Sequence, residues 1–465
     1  MSAALDRRAL ELLPRGARLG AHDAAVFALR EKRDAAGTSE PDFEPLRDHA
    51  RALKAHALDH LGLLLERFEA RASAAGAVVH WAEDAPALNR IVHELLDARG
   101  ARRVVKSKSM LTEECGLNPY LESRGIEVID TDLGERIVQL GHEPPSHIIM
   151  PAIHRTREDI GELFARELDV PAGETDPARL TEAARRHLRA HFLGADAAIT
   201  GVNFAVAESG TVVVVTNEGN ADLGMSLPKL HIACLGIEKV IPGLGDLAVL
   251  LRLLARSATG QPLSVYTSLV TGPRPGAELH VVLVDNGRTR LLADDAHRRA
   301  LGCIRCGACL NTCPVYRRAG GHAYDFAIPG PIGAVLAPAL GGSAERRALP
   351  LASTLCGSCS AVCPVRIDLH EQLVAWRATD LPRGRAERVG ARLAAAVLAR
   401  PVLYGVAGRV ARGLWPALSR RWPGNPASPW LASRELPAHP GASFRTRWRA
   451  KTSAERGHER SGVGS

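Results

Sequence analysis

The chain of 465 residues carries a formal net charge of +8, and 46% of its residues are hydrophobic while 24% are charged. This length allows two or three domains, and the balance of apolar and charged residues is typical of a globular protein. A charge of this size does not by itself indicate nucleic-acid binding. No uninterrupted apolar run reaches the roughly 18 residues that indicate a membrane-spanning helix. The first residues are charged and contain no apolar signal core, so we expect a cytoplasmic protein.

The pattern along the chain predicts four regions. Residues 1–75 have apolar residues at helical spacing and predict an N-terminal helical segment. From 76 to 292, short apolar runs alternate with helical patterns, which predicts an α/β domain with a largely parallel central sheet. Within it, 209–238 shows consecutive strands and turns and predicts a hairpin-rich insertion. The cysteine-rich region spans 293–375, and 376–465 form a basic helical region whose polar tail we expect to be disordered.

Seven of the nine cysteines lie between positions 303 and 363, and the first four form a run of regular spacing. Cys303, Cys306, Cys309 and Cys313 are followed by Pro314, which gives the C-x2-C-x2-C-x3-C-P pattern of two-cluster ferredoxins. Structural zinc sites use pairs of C-x2-C with four ligands in all, so this run favours iron–sulfur clusters over zinc. The sequence therefore predicts a ferredoxin-like module whose work is electron transfer.

The run repeats after 50 positions with one substitution. In such a motif three closely spaced thiolates hold one cluster, and the fourth cysteine, which cannot reach back, binds the other cluster. Crossed ligation predicts these ligand sets: Cys303, Cys306, Cys309 and Cys363 for cluster one, and Cys313, Cys356 and Cys359 for cluster two.

Cluster two thus has three cysteines, because the position that corresponds to Cys303 is occupied by Ser353. Three alternatives remain open at this stage. The site holds a [3Fe-4S] cluster, a [4Fe-4S] cluster with an oxygen or exogenous fourth ligand, or a [4Fe-4S] cluster with one open iron. Ser353 is the positional candidate for the oxygen ligand, and we favour a four-iron cluster.

The α/β region offers a second candidate site. Lys106 and Lys108 follow a predicted strand and precede a helix, at the edge of a parallel sheet where anions commonly bind. Glu208 precedes the most apolar strand and is placed near the same crevice. For the two lysines a solvated charged turn is an equal alternative, and for Glu208 a turn with ordinary hydrogen bonds is the favoured interpretation. Cys115 and Cys234 are expected to be buried as small hydrophobes.

The basic region has many arginines between 382 and 430, interleaved with Trp415, Trp422 and Trp430. We expect it to pack on the cysteine module. Peripheral contact with the inner face of the membrane is the alternative.

Together these residues resemble the lactate-utilisation protein B family over nearly the whole chain. The resemblance rests on Cys306–Tyr324, Ala352–Gly357, Cys363–His370, the Lys106–Met110 segment, and the runs Glu208–Thr211 and Val214–Asn220. It implies that the α/β domain has a fold like that of sugar-phosphate isomerases and CoA transferases. It also implies two [4Fe-4S] clusters, which match the seven cysteines here.

The resemblance further implies a function, partners and an acceptor. Family members are iron–sulfur subunits of a three-protein system that oxidises L-lactate to pyruvate and allows growth on lactate. The partners would be a cysteine-rich A-type subunit and an α/β C-type subunit, with an electron acceptor that the sequence does not identify. No catalytic residue is identified, since no G-x-G-x-x-G follows a strand to indicate a dinucleotide site. The alternatives are a redox- or oxygen-sensing protein, or an α/β ligand-binding subunit acting on another 2-hydroxy acid.

Overall fold

The computed structural model describes residues 17–340, 342–379, 385–418, 438–439 and 441–461. The chain divides into two units, 1–381 and 382–465. The strands are β1 Val78–Ala82, β2 Arg103–Lys106, β3 Glu127–Asp130, β4 Ala197–Gly201, β5 Phe204–Val206, β6 Thr211–Thr216, β7 Leu230–Gly236, β8 Val240–Ile241, β9 Tyr266–Val270 and β10 Glu278–Val284.

The helices of the first unit include three before the first strand and a series of short ones around the cysteines. They are α1 Ala17–Thr38, α2 Phe43–Asp59, α3 Leu61–Ala74, α4 Ala85–Asp97, α5 Met110–Glu114, α6 Leu117–Glu122, α7 Leu133–Leu140, α8 Arg157–Glu167, α9 Pro177–Leu193, α10 Asn220–Ser226, α11 Leu244–Ala258, α12 Arg288–Leu292, α13 Ala308–Thr312, α14 Pro314–Ala319, α15 Gly330–Leu340, α16 Ala344–Arg347, α17 Ser358–Ala361 and α18 Leu369–Thr379. The second unit has α19 Arg385–Leu398, α20 Pro401–Leu418 and α21 Phe444–Ser461.

A parallel sheet forms the centre of the α/β region, as the alternation of short apolar runs and helical patterns predicts. Its six strands lie in the order β1-β10-β7-β4-β2-β3, and every neighbouring pair is parallel. The central strand β7 is buried along its whole length, which explains its continuous apolar run. Val105 of β2 lies opposite Ile129 of β3 and Ala198 of β4. The carboxyl ends of these three strands therefore meet at one edge.

A second sheet, β8-β5-β6-β9, packs beside the first and contains a hairpin formed by β5 and β6. Strands β5 and β6 pair antiparallel across a turn in which Gly210 has φ +70°. A side chain on Gly210 would come within 2.2 Å of the Ala72 amide nitrogen, so glycine is required there. The predicted hairpin-rich stretch 209–238 is confirmed only in its first part, since α10 and the parallel strand β7 follow.

The N-terminal helices share a core with the cysteine module. Val26 and Leu29 of α1 and Leu46 of α2 belong to the same buried cluster as Cys306 and Cys309. Two of these helices also bond to the cysteine loops: the Arg47 guanidinium donates to the Cys363 carbonyl at 3.0 Å, and the Arg317 guanidinium binds Asp23 at 2.8 Å. The helical segment predicted for the N-terminus thus covers one side of the predicted cluster sites.

Helix α15 runs through this core between the two halves of the cysteine repeat. The Pro- and Gly-rich sequence of this stretch predicts a loop with one short helix, but the helix has 11 residues and is buried along its first eight. It is apolar on all sides, which is the pattern of a helix enclosed by protein. Trp376 of α18 donates its indole N–H to the Val335 carbonyl at 2.9 Å and fixes the two helices together.

The second unit consists of exposed helices in its described part. Helix α21 occupies much of the tail that the sequence predicts to be disordered, so the structure differs from that expectation. Local contacts explain the helix: Ser443 accepts the Thr446 amide at its start, and Phe444 stacks on Trp448 at 5.8 Å. Trp422 and Trp430, part of the predicted docking region, lie outside the described residues.

Among the described residues, no single helix is long and apolar enough to cross a membrane. The segments 389–398 and 401–417 reach that length and composition only as a pair, bent by 107°.

Candidate iron–sulfur centres and an adjoining cavity

The loop that begins at Cys303 is shaped by two residues in the left-handed region. Arg305 has φ +61° and Gly307 has φ +75°, and together they turn the chain around a small space. The Arg305 amide donates to the Cys303 sulfur at 3.3 Å. A side chain on Gly307 would press on Ile149 at 3.2 Å, so the loop lies close against the α/β region.

Four cysteines surround that space. One small cavity is lined by Cys303, Cys306, Cys309 and Cys363, together with apolar residues that include Ile148 and Ile332. These are the four residues that crossed ligation assigns to cluster one. The structure therefore brings together a cysteine from the second half of the repeat and three from the first.

The environment of these thiols suits metal-bound thiolates. Burial raises the pKa of the Cys363 thiol to about 12 and raises that of Cys306 as well. A bare thiolate is therefore costly here, and a bound cation is what deprotonates a buried thiol. The Ile367 amide donates to the Cys363 sulfur at 3.3 Å, as expected of amides that offset the negative charge of cluster ligands.

The second half of the repeat has the same backbone as the first. Leu355 has φ +56° and Gly357 has φ +78°, at the positions that correspond to Arg305 and Gly307. The Leu355 amide donates to the Ser353 hydroxyl oxygen at 3.1 Å, just as the Arg305 amide donates to the Cys303 sulfur. The Ser353 oxygen thus has the place in its loop that a cluster-binding sulfur has in the first loop.

The three remaining cysteines are electrostatic neighbours of one another. Burial, followed by the charges of Cys313 and Cys356, raises the pKa of Cys359 to about 11. Burial raises the pKa of Cys313 too, and Cys356 adds to that effect. Cys356 itself is exposed, in contrast to Cys313 and Cys359. The predicted ligands of cluster two therefore lie together at a site that is open to solvent on one side.

Buried donors without a partner surround the cysteines. In the described part of the chain, the Arg305 Nη1, the Asn311 Nδ2 and the Tyr324 hydroxyl have no hydrogen-bond partner among oxygen and nitrogen atoms. Tyr324 lies against Cys313, and Asn311 stands between Cys309 and Cys313 in the sequence. Such donors need an explanation, and the sulfur atoms of iron–sulfur clusters accept hydrogen bonds of this kind. The residues present thus fit two clusters.

No three His, Cys, Asp or Glu side chains of the described residues stand close enough to hold a single metal ion. A four-iron cluster is itself several ångströms across, and its ligands surround it instead of meeting at one point.

Positive side chains gather on the Cys303 side of the first site. Arg305 lies 3.6 Å from Glu238, and Lys54 donates to the Glu238 carbonyl at 2.7 Å. Burial lowers the pKa of Lys54 to about 8 and that of Lys239 to about 7, while Glu238 and the Cys303 charge act in the opposite direction. Negative charge at Cys303 therefore favours the protonated lysines, and these cations would stabilise the negative charge of a cluster held at this site.

A larger cavity of about 610 Å³ lies at the carboxyl edge of the parallel sheet. Ser107 and Lys108 line it after β2, Asp132 after β3, and Gly201 at the end of β4. Strand β6, helix α11 and the 149–155 loop enclose it, and Arg305 of the cysteine loop forms part of its wall. The cavity is therefore adjacent to the first cluster site, with Arg305 lining both.

Of the three residues proposed for an anion site in the α/β region, only Lys108 lines this cavity. Lys106 is fully buried and pairs with Asp130 at 2.7 Å and Glu113 at 3.1 Å, so it holds the sheet edge together. Glu208 accepts the Leu244 amide at 2.8 Å at the start of α11. The expectation that the three share one site is wrong, because the carboxylates around Lys106 hold its ammonium inside the protein and away from the cavity.

The two remaining cysteines and two histidines near the sites have structural roles. Cys115 and Cys234 are buried, as predicted, and burial raises the pKa of Cys234 to about 12. His147 is buried and bonds to Asn311 at 3.0 Å, and His154 bonds to Glu143 at 2.8 Å. Arg305 was not predicted as a site residue. Its charge and its position between the predicted ligands Cys303 and Cys306 are the signals in the sequence that could have identified it.

Family models cover both parts of the first unit. Residues 65–291 match the LUD domain, and residues 299–367 match a 4Fe-4S dicluster domain. The alignment with a solved structure of a DUF162 family protein from Deinococcus radiodurans covers 48% of this chain and 98% of that protein's chain, at 16% identity and a TM-score of 0.28. A score this low carries no conclusion.

Full-length relatives are more informative. Lactate utilization protein B of Shouchella clausii is 41% identical over 446 residues, which cover 92% of this chain and 93% of that protein. The protein of the same name from Geobacillus thermodenitrificans is 42% identical and covers 87% of each chain. The uncharacterized electron transport protein YkgF of Escherichia coli is 41% identical and covers 89% of each chain. With this identity over almost its whole length, the chain belongs to the lactate utilization protein B family.

Proposed function

We propose that this chain is the iron–sulfur electron-transfer subunit of a complex that oxidises L-lactate to pyruvate and allows growth on lactate. The observation that carries the proposal is the convergence of Cys303, Cys306, Cys309 and Cys363 on one cavity within a 4Fe-4S dicluster domain. Relatives named for lactate utilization supply the substrate, and a relative named as an electron transport protein agrees with the role.

The cofactors proposed are two [4Fe-4S] clusters. Cys303, Cys306, Cys309 and Cys363 would hold the first, and Cys313, Cys356 and Cys359 the second. The matching amide bonds to Cys303 and Ser353 support Ser353 as the fourth ligand of the second cluster. The alternative is a [3Fe-4S] cluster on the three cysteines alone.

The two clusters, when bound, supply two one-electron centres, which equals the number of electrons that leave a lactate on its oxidation. The protein residues define their surroundings. Amides of Arg305 and Ile367 donate to cysteine sulfurs, and the buried core excludes water from the first site. Arg305, Lys54 and Lys239 place positive charge beside Cys303 and favour reduction there.

The partners proposed are a cysteine-rich A-type subunit and an α/β C-type subunit, together with an electron acceptor of unknown identity. We place the complex in the cytoplasm, with peripheral contact of the basic region at the inner face of the membrane as an extension of that proposal. The specific likeness of the α/β domain to sugar-phosphate isomerases and CoA transferases stays a prediction.

A redox- or oxygen-sensing protein is the second candidate function. The exposed Cys356 at the three-cysteine site favours it, since oxygen reaches such a cluster readily. The third candidate, a ligand-binding subunit acting on another 2-hydroxy acid, is favoured by the cavity beside cluster one.

A reconstitution assay separates these candidates. The chain is purified without oxygen, combined with its A-type and C-type partners, and assayed for pyruvate formation from L-lactate with an artificial electron acceptor. The electron-transfer role predicts that Cys306→Ala abolishes turnover, while Cys234→Ala, at a buried cysteine away from the clusters, retains it. Full turnover by the Cys306→Ala complex would contradict the proposal, and full turnover after selective loss of cluster two would favour sensing.

A further inference from the structure

The cavity at the sheet edge has polar atoms that no described residue satisfies. The Ser107 hydroxyl is buried without a hydrogen-bond partner, and the whole residue is only 5% exposed. The hydroxyl of Thr216, a β6 residue that also lines the cavity, is likewise buried and without a partner. Two residues with orphaned hydroxyls in the lining of one cavity point to a polar ligand there, because buried polar groups in native proteins are almost always paired.

The charges of the cavity are suited to an anion at one end. Lys108 and Arg305 line both this cavity and a smaller one that adjoins it, so the two cations lie near each other. Lys108 donates to Asp132 at 2.7 Å and to the Ile149 carbonyl at 3.0 Å, which leaves one ammonium proton. Burial, and then the Asp132 charge, raises the pKa of Glu218, while the Leu133 amide and the Lys108 charge act in the opposite direction.

Much of the remaining wall is apolar, although Arg155, Asn203 and Asn217 also line it, and the cavity is larger than a three-carbon acid. Ile137, Ile149, Ile153, Val214 and Leu254 line it. A volume of about 610 Å³ is typical of sites for ligands with several carbon atoms beyond a polar group.

We propose that this cavity binds a 2-hydroxy or 2-oxo carboxylic acid, with its carboxylate toward Lys108 and Arg305, its 2-oxygen toward the Ser107 and Thr216 hydroxyls, and its side chain along the apolar wall. The choice of this acid class rests on the proposed function, whereas an anionic ligand with an apolar body follows from the cavity itself. An acid bound in this way lies beside Arg305. The Arg305 amide donates to the Cys303 sulfur, so the acid is close to the first cluster site. The α/β domain then serves as a binding domain next to the first cluster site.

The size of the cavity predicts an order of affinities. Each further methylene buried against the apolar wall strengthens binding by about fourfold. We therefore expect 2-oxo-4-methylpentanoate to bind more tightly than pyruvate. We expect 4-methylpentanoate, which lacks the 2-oxygen, to bind more weakly than its 2-oxo counterpart.

Isothermal titration calorimetry on the cluster-loaded full chain, without partner proteins, tests the proposal. The probes are pyruvate, 2-oxo-4-methylpentanoate, 4-methylpentanoate and inorganic phosphate. Ser107→Ala and Thr216→Val are each expected to weaken binding of 2-oxo-4-methylpentanoate by roughly tenfold, the usual cost of removing a hydrogen bond in a charged complex. The controls Ser123→Ala and Thr289→Val change hydroxyls outside the cavity and should leave the affinity unchanged.

Three results would overturn the proposal. These are no binding of either 2-oxo acid to the wild-type chain, binding no tighter than that of phosphate, or equal affinities in the cavity variants and the controls. Iron content and circular dichroism of each variant establish that it is folded and contains its clusters. If a variant is unfolded or lacks its clusters, the series of ligands titrated into the wild-type chain tests the proposal instead. Because no partner or electron transfer is needed, failure here leaves the electron-transfer role intact, and failure of lactate-dependent reduction leaves this binding intact.

Discussion

The two halves of the cysteine repeat share a backbone and differ in what surrounds it. Each half has two residues of positive φ two positions apart, Arg305 and Gly307 in the first and Leu355 and Gly357 in the second. In the first loop the amide bonds to a cysteine sulfur, and in the second the equivalent amide bonds to a serine oxygen. The loop conformation therefore does not depend on the eighth cysteine.

The surroundings differ more than the loops do. The first site is enclosed by the N-terminal helices and α15 and has Arg305, Lys54 and Lys239 nearby. At the second site Cys356 is exposed, and the neighbour that the structure provides for Cys313 is the neutral hydroxyl of Tyr324. The comparison suggests a stable, electrostatically favoured first cluster and a second that is more easily lost.

The largest expected effect is a difference in thermal stability between two variants, each of which lacks the equivalent cysteine of one half of the repeat. Cys306→Ala opens a buried site and is expected to lose cluster one and to lower the thermal midpoint by several degrees, since metal binding stabilises a fold. Cys356→Ala, at the exposed site, is expected to lose only cluster two. Iron and acid-labile sulfide, measured after anaerobic reconstitution, should fall from about eight to about four per chain in each variant. Equal stability losses in the two variants would remove the distinction between the sites.

Exchange of Ser353 tests the ligand difference directly. Ser353→Cys completes the C-x2-C-x2-C-x3-C pattern and is expected to slow the loss of iron from cluster two in air by several-fold, because thiolate is the preferred cluster ligand. Ser353→Ala is expected to speed the loss and to convert the site to a three-iron form, seen by electron paramagnetic resonance (EPR) of the oxidised protein. Identical behaviour of the serine and alanine proteins would show that Ser353 is not a ligand.

The cations beside Cys303 should affect the first cluster alone. Lys54→Met removes a buried positive charge and is expected to lower the reduction potential of cluster one by about 60 mV, the equivalent of a tenfold change for one electron. Cluster two should keep its potential. Lys32→Met, at an exposed lysine of α1, is the matched control. A redox titration followed by EPR distinguishes the two clusters, and equal shifts in both would contradict this assignment.

The smallest effect is expected at Tyr324. Tyr324→Phe removes the hydroxyl beside Cys313 and is expected to lower the reduction potential of cluster two by roughly 20 mV. The potential should fall because a hydrogen bond to a cluster sulfur stabilises the reduced cluster, and this variant loses that bond. Tyr316→Phe is the control, because the Tyr316 hydroxyl donates to the Ser146 carbonyl at 2.8 Å instead. The same titration measures both, and a larger shift in the control would place the hydrogen bond elsewhere.

Local patterns in the sequence were enough to predict the cysteine site and the parallel sheet. The cysteine spacing predicts which residues converge, and the apolar runs of β7 and β10 predict buried parallel strands. Contacts between distant segments left no such signal. The bond from Arg47 to the Cys363 carbonyl joins residues 316 positions apart, and Arg305 becomes part of a cavity only when the α/β domain packs on the loop.

The same limit explains the misplaced lysine and the helix whose length was underestimated. Lys106 and Lys108 are equally attractive in the sequence, but the carboxylates that enclose Lys106 come from β3, α5 and α7. Helix α15 contains prolines and glycines that favour a loop locally, and burial on all sides overrides that preference.

The most direct test of the electron-transfer role is EPR of the anaerobic complex with its A-type and C-type partners during addition of L-lactate. The proposal predicts that lactate reduces both clusters of this chain, and that in Cys306→Ala the signal of cluster one is absent while cluster two is still reduced by dithionite. Clusters that are reduced by dithionite but stay oxidised with lactate in the complete complex would contradict it.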